Sequence, residues 1–372
     1  MAINSNDNFW NLLEIVETEN GITKLPSEYK VNGKYSFLDY KTVFNKETLT
    51  NFKYNNLPKI NIFEKDKNKF YTSKQNSIAV TWSSETNKDV FQAMFIETNK
   101  PFIINGFSKL LYIKKEYDVL PKWLTWYLNY DFSIQKQRET MPYTTRCNMT
   151  KNEMKNMKIK KVPLNNQQEI INIIEPFEKI KSSLINKINL INDMFFIQSK
   201  TQNVCGKMIE NNIIFERGKN VSSDLLSTNK SNVVFINVSA INNNQNKWIV
   251  DNVKFQNNVF YGDIILSLDG TVGLVNNFLE GYNGYGYKVF SKKIKNSQIF
   301  ISLLSSTNKK IIKENSNGSV IKHASKSIDK LLLLNIENDF IFEMIYKLQI
   351  QYKKIVLKID LIIKKLIEMY IV

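Results

Sequence analysis

Side chains able to make or break covalent bonds are scarce in this 372-residue chain. There is one histidine, His323, so every mechanism that needs two imidazoles is excluded, including the paired-histidine zinc motif of helical metalloproteases. Two cysteines, Cys147 and Cys205, cannot build a disulfide framework or a four-ligand zinc site, and they fit a reducing compartment. No metal site is expected. Carboxylates such as Glu64, Asp66 and Asp263 are the material for a Mg2+-dependent nuclease, but the best linear carboxylate–lysine cluster, Glu28-Tyr29-Lys30, has no convincing aspartate partner before it. Positive charge is abundant: 51 Lys and Arg stand against 35 Asp and Glu, a net +16. Such a surface favours a polyanion, because neutralising phosphates releases their counterions. Codon bias toward Lys, Asn and Ile would produce the same excess, so charge alone decides nothing. The start, MAINSNDNFWNLLEIVETEN, has no secretory pattern, and no run of about 18 apolar residues occurs, which predicts a cytoplasmic protein without a membrane partner.

The elements that would position any site come in duplicate. Thr150-Lys151 leads through Met157 and Ile159 into a long helical pattern, and Ser325-Lys326 leads through Leu332 and Leu334 into another, at an offset of 175 residues. At that offset Ile170, Ile173, Phe177, Ile180, Leu184, Ile191 and Phe195 match Ile345, Leu348, Tyr352, Ile355, Ile359, Leu366 and Tyr370. The second helix steps by three and four through Ile345, Leu348, Tyr352, Ile355, Ile359, Ile362, Leu366 and Met369, which predicts a coiled-coil seam. Its best partner is the first helix, run antiparallel. Pro176 is expected to kink or restart that helix, since proline lacks an N–H and clashes with the preceding turn.

Upstream of each helix lies a mixed segment with short β-like runs. Tyr35 to Tyr40 echoes Phe235 to Ile241, and Ser77 to Trp82 falls where Asp263 to Leu268 falls in the second copy, with offsets that drift. Variable loops on a constant helical frame suggest that recognition resides in the mixed segments. The sharpest local motif runs from Tyr261 to Val275: a strand at Ile264–Leu268, a hairpin turn at Asp269-Gly270 needing positive φ, and a return from Val272. In the first copy, Ile78 to Ser84 lacks a glycine turn.

The order of these parts resembles the specificity subunit of type I restriction-modification systems. The GDIILSLDGTVG stretch is followed by a short helical segment (Ser297 to Lys313), a polar turn (Asn317-Gly318-Ser319), a Ser-Lys-Ser-Ile segment and a long terminal helix. In the first half the short helix is Trp123 to Gln137, the polar turn is Tyr143 to Arg146, and Val162-Pro163-Leu164-Asn165-Asn166-Gln167-Gln168-Glu169-Ile170 is similar to the family's PLPPLxEQ helix start. The second helix lacks that proline and those glutamines, having Asn335-Ile336-Glu337-Asn338-Asp339. The resemblance implies an α+β protein: two mixed target-recognition domains, 1–163 and 203–338, related by a pseudo-twofold repeat. Two long antiparallel coiled-coil helices, 164–202 and 339–372, would hold them apart.

It also implies a non-catalytic reader of a bipartite site in double-stranded DNA, with the helices as a ruler. Two modification subunits would methylate adenine with S-adenosylmethionine, and restriction subunits would hydrolyse ATP and cut with Mg2+; no cofactor is expected in this chain. Consistently, there is no Asn-Pro-Pro-Tyr segment to present a flipped base and no GxxxxGK[ST] phosphate loop, and Gly281 to Gly286 has the wrong spacing for a dinucleotide loop. Base edges and phosphates call for Arg, Lys, amides, hydroxyls and aromatics in loops. The first domain offers Trp82, Ser83, Lys88, Arg138, Tyr143, Thr144, Thr145 and Arg146. The second offers Ser239, Asn242, Asn243, Asp269, Thr271, Tyr282, Tyr285, Lys288, Lys322 and His323. Arg146 stands out because arginines are few and its planar fork suits guanine or phosphate. The lysines at 151, 155, 158, 160 and 161 would face a DNA backbone or a modification subunit. Cys147 and His323 belong to different copies, which argues against a catalytic dyad. Two other readings stay open: a stand-alone Mg2+-dependent nuclease, and a coiled-coil adaptor that binds only protein.

Overall fold

The computed structural model describes the chain except for residues 1–7, 24–32, 45–48, 50–51, 74, 88, 143–144, 201–202, 228–232, 243–246, 251–253, 319–321 and 372. Two compact units emerge, Met1–Ser183 with Val356–Val372, and Leu184–Ile355. Each unit contains one mixed α/β segment and a stretch of both long helices.

In the first unit, β2 (Val16–Asn20), β10 (Ser108–Ile113), β6 (Ser77–Thr81) and β8 (Ala93–Ile96) form an antiparallel sheet in that order. β6 is buried along its whole length, as befits a short, nearly continuous apolar run in a central strand. A second sheet orders β4 (Lys59–Ile60), β3 (Tyr35–Leu38), β9 (Pro101–Ile104) and β5 (Thr72–Ser73), with β3 and β9 parallel. β1 (Phe9–Asn11) pairs with β12 (Lys158–Lys160), and β7 (Ser83–Ser84) with β11 (Cys147–Asn148). Leu38, Ala79, Met94, Phe102 and Leu110 join the two larger sheets in one apolar cluster.

The second unit repeats the order of the antiparallel sheet and adds the fourth strand of the mixed sheet at the opposite edge. β14 (Ile214–Arg217), β21 (Tyr287–Phe290), β18 (Ile264–Leu266) and β19 (Val275–Asn276) form an antiparallel sheet. β15 (Leu226–Ser227), β17 (Lys247–Ile249), β16 (Val233–Ile236) and β20 (Tyr282–Asn283) form another, with β16 and β20 parallel. β13 (Val204–Lys207) pairs with β22 (Leu332–Leu334). Thus β3 and β16 each lie between an antiparallel and a parallel neighbour, and β6 and β18 hold the same place in their sheets, as their sequence echoes suggest.

The short helix expected in each copy is two helices. In the first unit α4 (Pro121–Tyr130) gives way to α5 (Phe132–Glu139) at Asp131, whose side chain accepts from the Ile134 N–H. In the second, α9 (Asn296–Leu304) gives way to α10 (Ser306–Glu314) at Ser305, which accepts from the Asn308 N–H. A capping side chain that takes an orphan N–H ends one helix and starts the next, a break that apolar periodicity does not reveal. The Tyr261–Val275 hairpin also differs in detail: Leu266 pairs with Val275, so the loop spans 267–274 and Asp269-Gly270 is not a two-residue turn.

The long helices are Leu164–Gln198 and Asp339–Ile371. The first runs through Pro176 without ending, its early turns anchored by buried Ile170, Ile171 and Ile174. Buried Gln167 at its start donates to the Asp118 and Val162 carbonyls and accepts from the Leu120 N–H, tying the helix to the loop before α4. Within each unit the two helices touch in opposite sequence sense, Lys181 with Asp360 in the first and Asn192 with Gln349 in the second. The expected seam on the second helix is displaced. Leu348, Ile355, Ile362 and Met369 are 39–73% exposed, while Tyr346, Gln349, Ile350, Ile359, Ile363 and Ile367 are buried. Apolar residues surround this helix on nearly every side, so periodicity could not select the face; buried polar residues lie among the contacts, Glu178 and Lys181 in the first unit and Gln349 in the second.

Candidate nucleic-acid interface

In both units the site grows from the same construction: the chain leaving the central strand is met by the polar segment that follows the helix pair. In the first unit, the Trp82 and Ser83 N–H groups both donate to the Phe107 carbonyl, and Met149 N–H donates to the Trp82 carbonyl. β7 pairs Ser84 with Cys147 and Ser83 with Asn148. This seam gathers a basic–aromatic patch. Lys109 Nζ lies 3.6 Å from the Trp82 ring centre, and the Arg146 guanidinium lies 5.0 Å from the ring of half-exposed Phe107. Burial, reinforced by Lys151, pushes the Lys109 amine below its ordinary value. Thr145 and Arg146 are exposed beside it. Cations held on aromatic faces suit the neutralisation of phosphates and contact with bases.

In the second unit the chain after β18 meets the segment after α10. Gly270 N–H donates to the Lys322 carbonyl, Ala324 N–H to the Leu268 carbonyl, and Asp269 bridges to His323. Gly270 has φ +70, a left-handed turn that suits glycine, with Val238 of α8 (Val238–Ile241) packed within 3.6 Å of its missing Cβ. The carboxylate of Asp269, 8% exposed, contacts His323 Nδ1 at 2.7 Å and Arg217 at 3.3 Å. Thr271 and Lys322 are exposed on the same loops.

Of the predicted residues, the structure therefore gathers Trp82, Ser83, Thr145 and Arg146 in one patch, and Asp269, Thr271, Lys322 and His323 in another. Ser239 on α8 is half-buried near the second, and Asn242 is exposed at the end of that helix. Arg138 requires correction. It lies on α5 at 3% exposure, and its Nη1 donates to the Val90 and Phe91 carbonyls. Burial pushes it down to about 10 against the attraction of Asp89 and Glu139. Phe91 sits at φ +60, so Arg138 braces an unusual backbone from inside and presents no fork to DNA. Lys288 is likewise engaged, paired with Asp263 at 2.7 Å and donating to the Asn258 carbonyl, away from the Asp269 loop. Tyr282 packs edge-on against Phe255 in the second sheet, and exposed Tyr285 against Phe235. Lys88, Tyr143, Thr144 and Asn243 lie outside the described residues.

Arg217, Lys109 and Phe107 were not anticipated. Arg217 is one of only three arginines, so the argument that singles out Arg146 would have found it. Lys109 and Phe107 sit on an ordinary strand and its turn, with no local signal. Among the described residues no three of His, Cys, Asp and Glu converge as a metal-binding group, and no helix is long and apolar enough to cross a membrane.

The family described as the type I restriction modification DNA specificity domain matches residues 5–191 and 211–336. The crystal structure of the type I restriction-modification system S subunit from M. genitalium is similar in fold, with a TM-score of 0.51 at 15% identity, covering 100% of this chain and 98% of that one. The HsdS subunit from Thermoanaerobacter tengcongensis aligns over 97% of this chain and 95% of that one at 12% identity, with a TM-score of 0.36. No curated protein sequence matches. The two matched stretches take in most of the chain and coincide with the duplicated architecture, so the chain belongs to the type I restriction-modification DNA specificity family, a family of DNA-recognition subunits and not of catalytic ones.

Proposed function

We propose that this chain reads a bipartite site in double-stranded DNA and directs adenine methylation and cleavage by partner subunits. The observation that carries the reading is the duplication: each unit has the same order in its antiparallel sheet and the same meeting of strand end and polar loop, with different side chains displayed there. One half-site per unit follows from that difference. Helices of 35 and 33 residues correspond to roughly 50 Å at 1.5 Å per residue, the length of about 13 to 15 base pairs, so they suit a ruler between half-sites.

Exposed apolar residues support docking of two modification subunits. Ile341, Met344, Leu348, Ile355, Ile362 and Met369 recur by three, four and seven along one helix, a spacing that fits partner helices. S-adenosylmethionine, ATP and Mg2+ act in those partner and restriction subunits, in the cytoplasm. Mapping methylated adenines in cells with and without this gene tests the proposal: a gapped motif that vanishes with the gene supports it, and an unchanged methylome refutes it.

A further inference from the structure

The ring of His323 is clamped to an unusual degree for an exposed side chain. Its backbone exchanges two hydrogen bonds with Asn317, at 2.8 and 3.0 Å, and the flanking Lys322 and Ala324 are tied to Gly270 and Leu268 at 2.8 Å each. The residue therefore sits in the middle of a small three-segment ladder. Its side chain is 60% exposed, yet Nδ1 lies 2.7 Å from Asp269 Oδ1, whose second oxygen receives Arg217 at 3.3 Å. Among the described residues no other side chain pairs with the ring. A carboxylate oxygen only accepts, so the proton between the two sits on Nδ1, and in the neutral form of this exposed ring Nε2 is left as the acceptor.

We propose that Asp269 is a positioning residue that fixes His323 as the Nδ1–H tautomer, so that Nε2 accepts a hydrogen bond from the exocyclic amine of adenine or cytosine in one half-site. This rests on the DNA-reading function proposed above and assigns its chemistry at one position. An acceptor facing the major groove selects the bases that carry an amine there, adenine through N6 and cytosine through N4, over guanine and thymine. The first unit has the same bridge with other side chains, Ser83 opposite Asn148, so the backbone ladder is the constant frame and the residue on it is the variable reader. Arg217, held by the other oxygen of Asp269, supplies a cation next to that acceptor.

The chain contains a single histidine, so histidine-labelled full-length protein gives one imidazole spin system. Its 15N shifts at about pH 8.5 are expected to show Nδ1–H in the native chain. Asp269→Ala should move the ring toward Nε2–H, and Asp269→Asn, which keeps an accepting Oδ1, should restore Nδ1–H. A native ring already in the Nε2–H form overturns the inference. In cells, His323→Lys replaces the acceptor with a donor at an exposed position. Methylation at the original motif should fall about tenfold, with relaxed preference at one base of one half-site; the base that is lost, adenine or cytosine, names the amine. An unchanged motif overturns the inference. If the native chain supports no gene-dependent methylation, the proposed function fails, while the tautomer measurement still judges the role of Asp269.

Discussion

Lys181 Nζ stands 2.7 Å from Asp360 Oδ1, joining the two long helices in the first unit through an amine that is only 4% exposed. The carboxylate is 40% exposed, so water shares its charge while the lysine depends on it. Lys181→Met should cost about 1–2 kcal/mol, less than a fully buried pair because Asp360 can turn to solvent. A lower urea midpoint at unchanged slope would show it.

Glu178 lies one turn away on the same helix, 3% exposed, with Oε1 unpartnered among the described residues. Burial lifts its carboxyl to about 7 from an ordinary 4.5; Lys181 opposes the rise and Asp360 adds to it. The folded state then binds a proton that the unfolded state has released, so the stability this group contributes is complete below about pH 4.5 and is lost as pH rises to about 7. Glu178→Gln should therefore stabilise the protein by about 3 kcal/mol at pH 8 and change little near pH 4.5. Thermal melts of both proteins across that range read the difference directly, and a parallel pair of curves would contradict it.

The arginines divide by function. Arg146→Ala should weaken DNA retardation about five- to tenfold and lower the salt slope by about one, with an unchanged melting temperature. Arg138→Ala should do the reverse, costing about 2–3 kcal/mol of stability by removing the donors under Val90 and Phe91. Gel shifts across a salt series, paired with denaturation curves, separate the two.

Four residues inserted near Ser182, with four more near Val356 to preserve the antiparallel contacts, add about one turn, or roughly 6 Å, to both helices. The gapped motif should lengthen by about two base pairs while both half-sites stay the same, as methylome sequencing would report. Altered half-sites would mean that the helices take part in base reading.

The duplication was legible in the residues alone, because helix spacing and the order of strand, short helix, polar turn and long helix are local patterns that survive loop insertions. The helix break at Asp131 and Ser305 was not read, since a cap depends on one side-chain oxygen rather than on periodicity. The choice of helix face was decided only by packing: a helix apolar on nearly all sides offers several equivalent stripes, and the one containing Tyr346, Ile359 and Ile363 is selected by what folds against it. The same holds at the site. Arg138 and Arg146 are alike in sequence, yet one ends inside under the Phe91 loop and the other on the surface beside Phe107. Asp269 and His323 are separated by 54 positions, and their 2.7 Å contact exists because the loop leaving β18 and the segment after α10 share backbone hydrogen bonds, a pairing set by chain topology and not by any neighbouring residue.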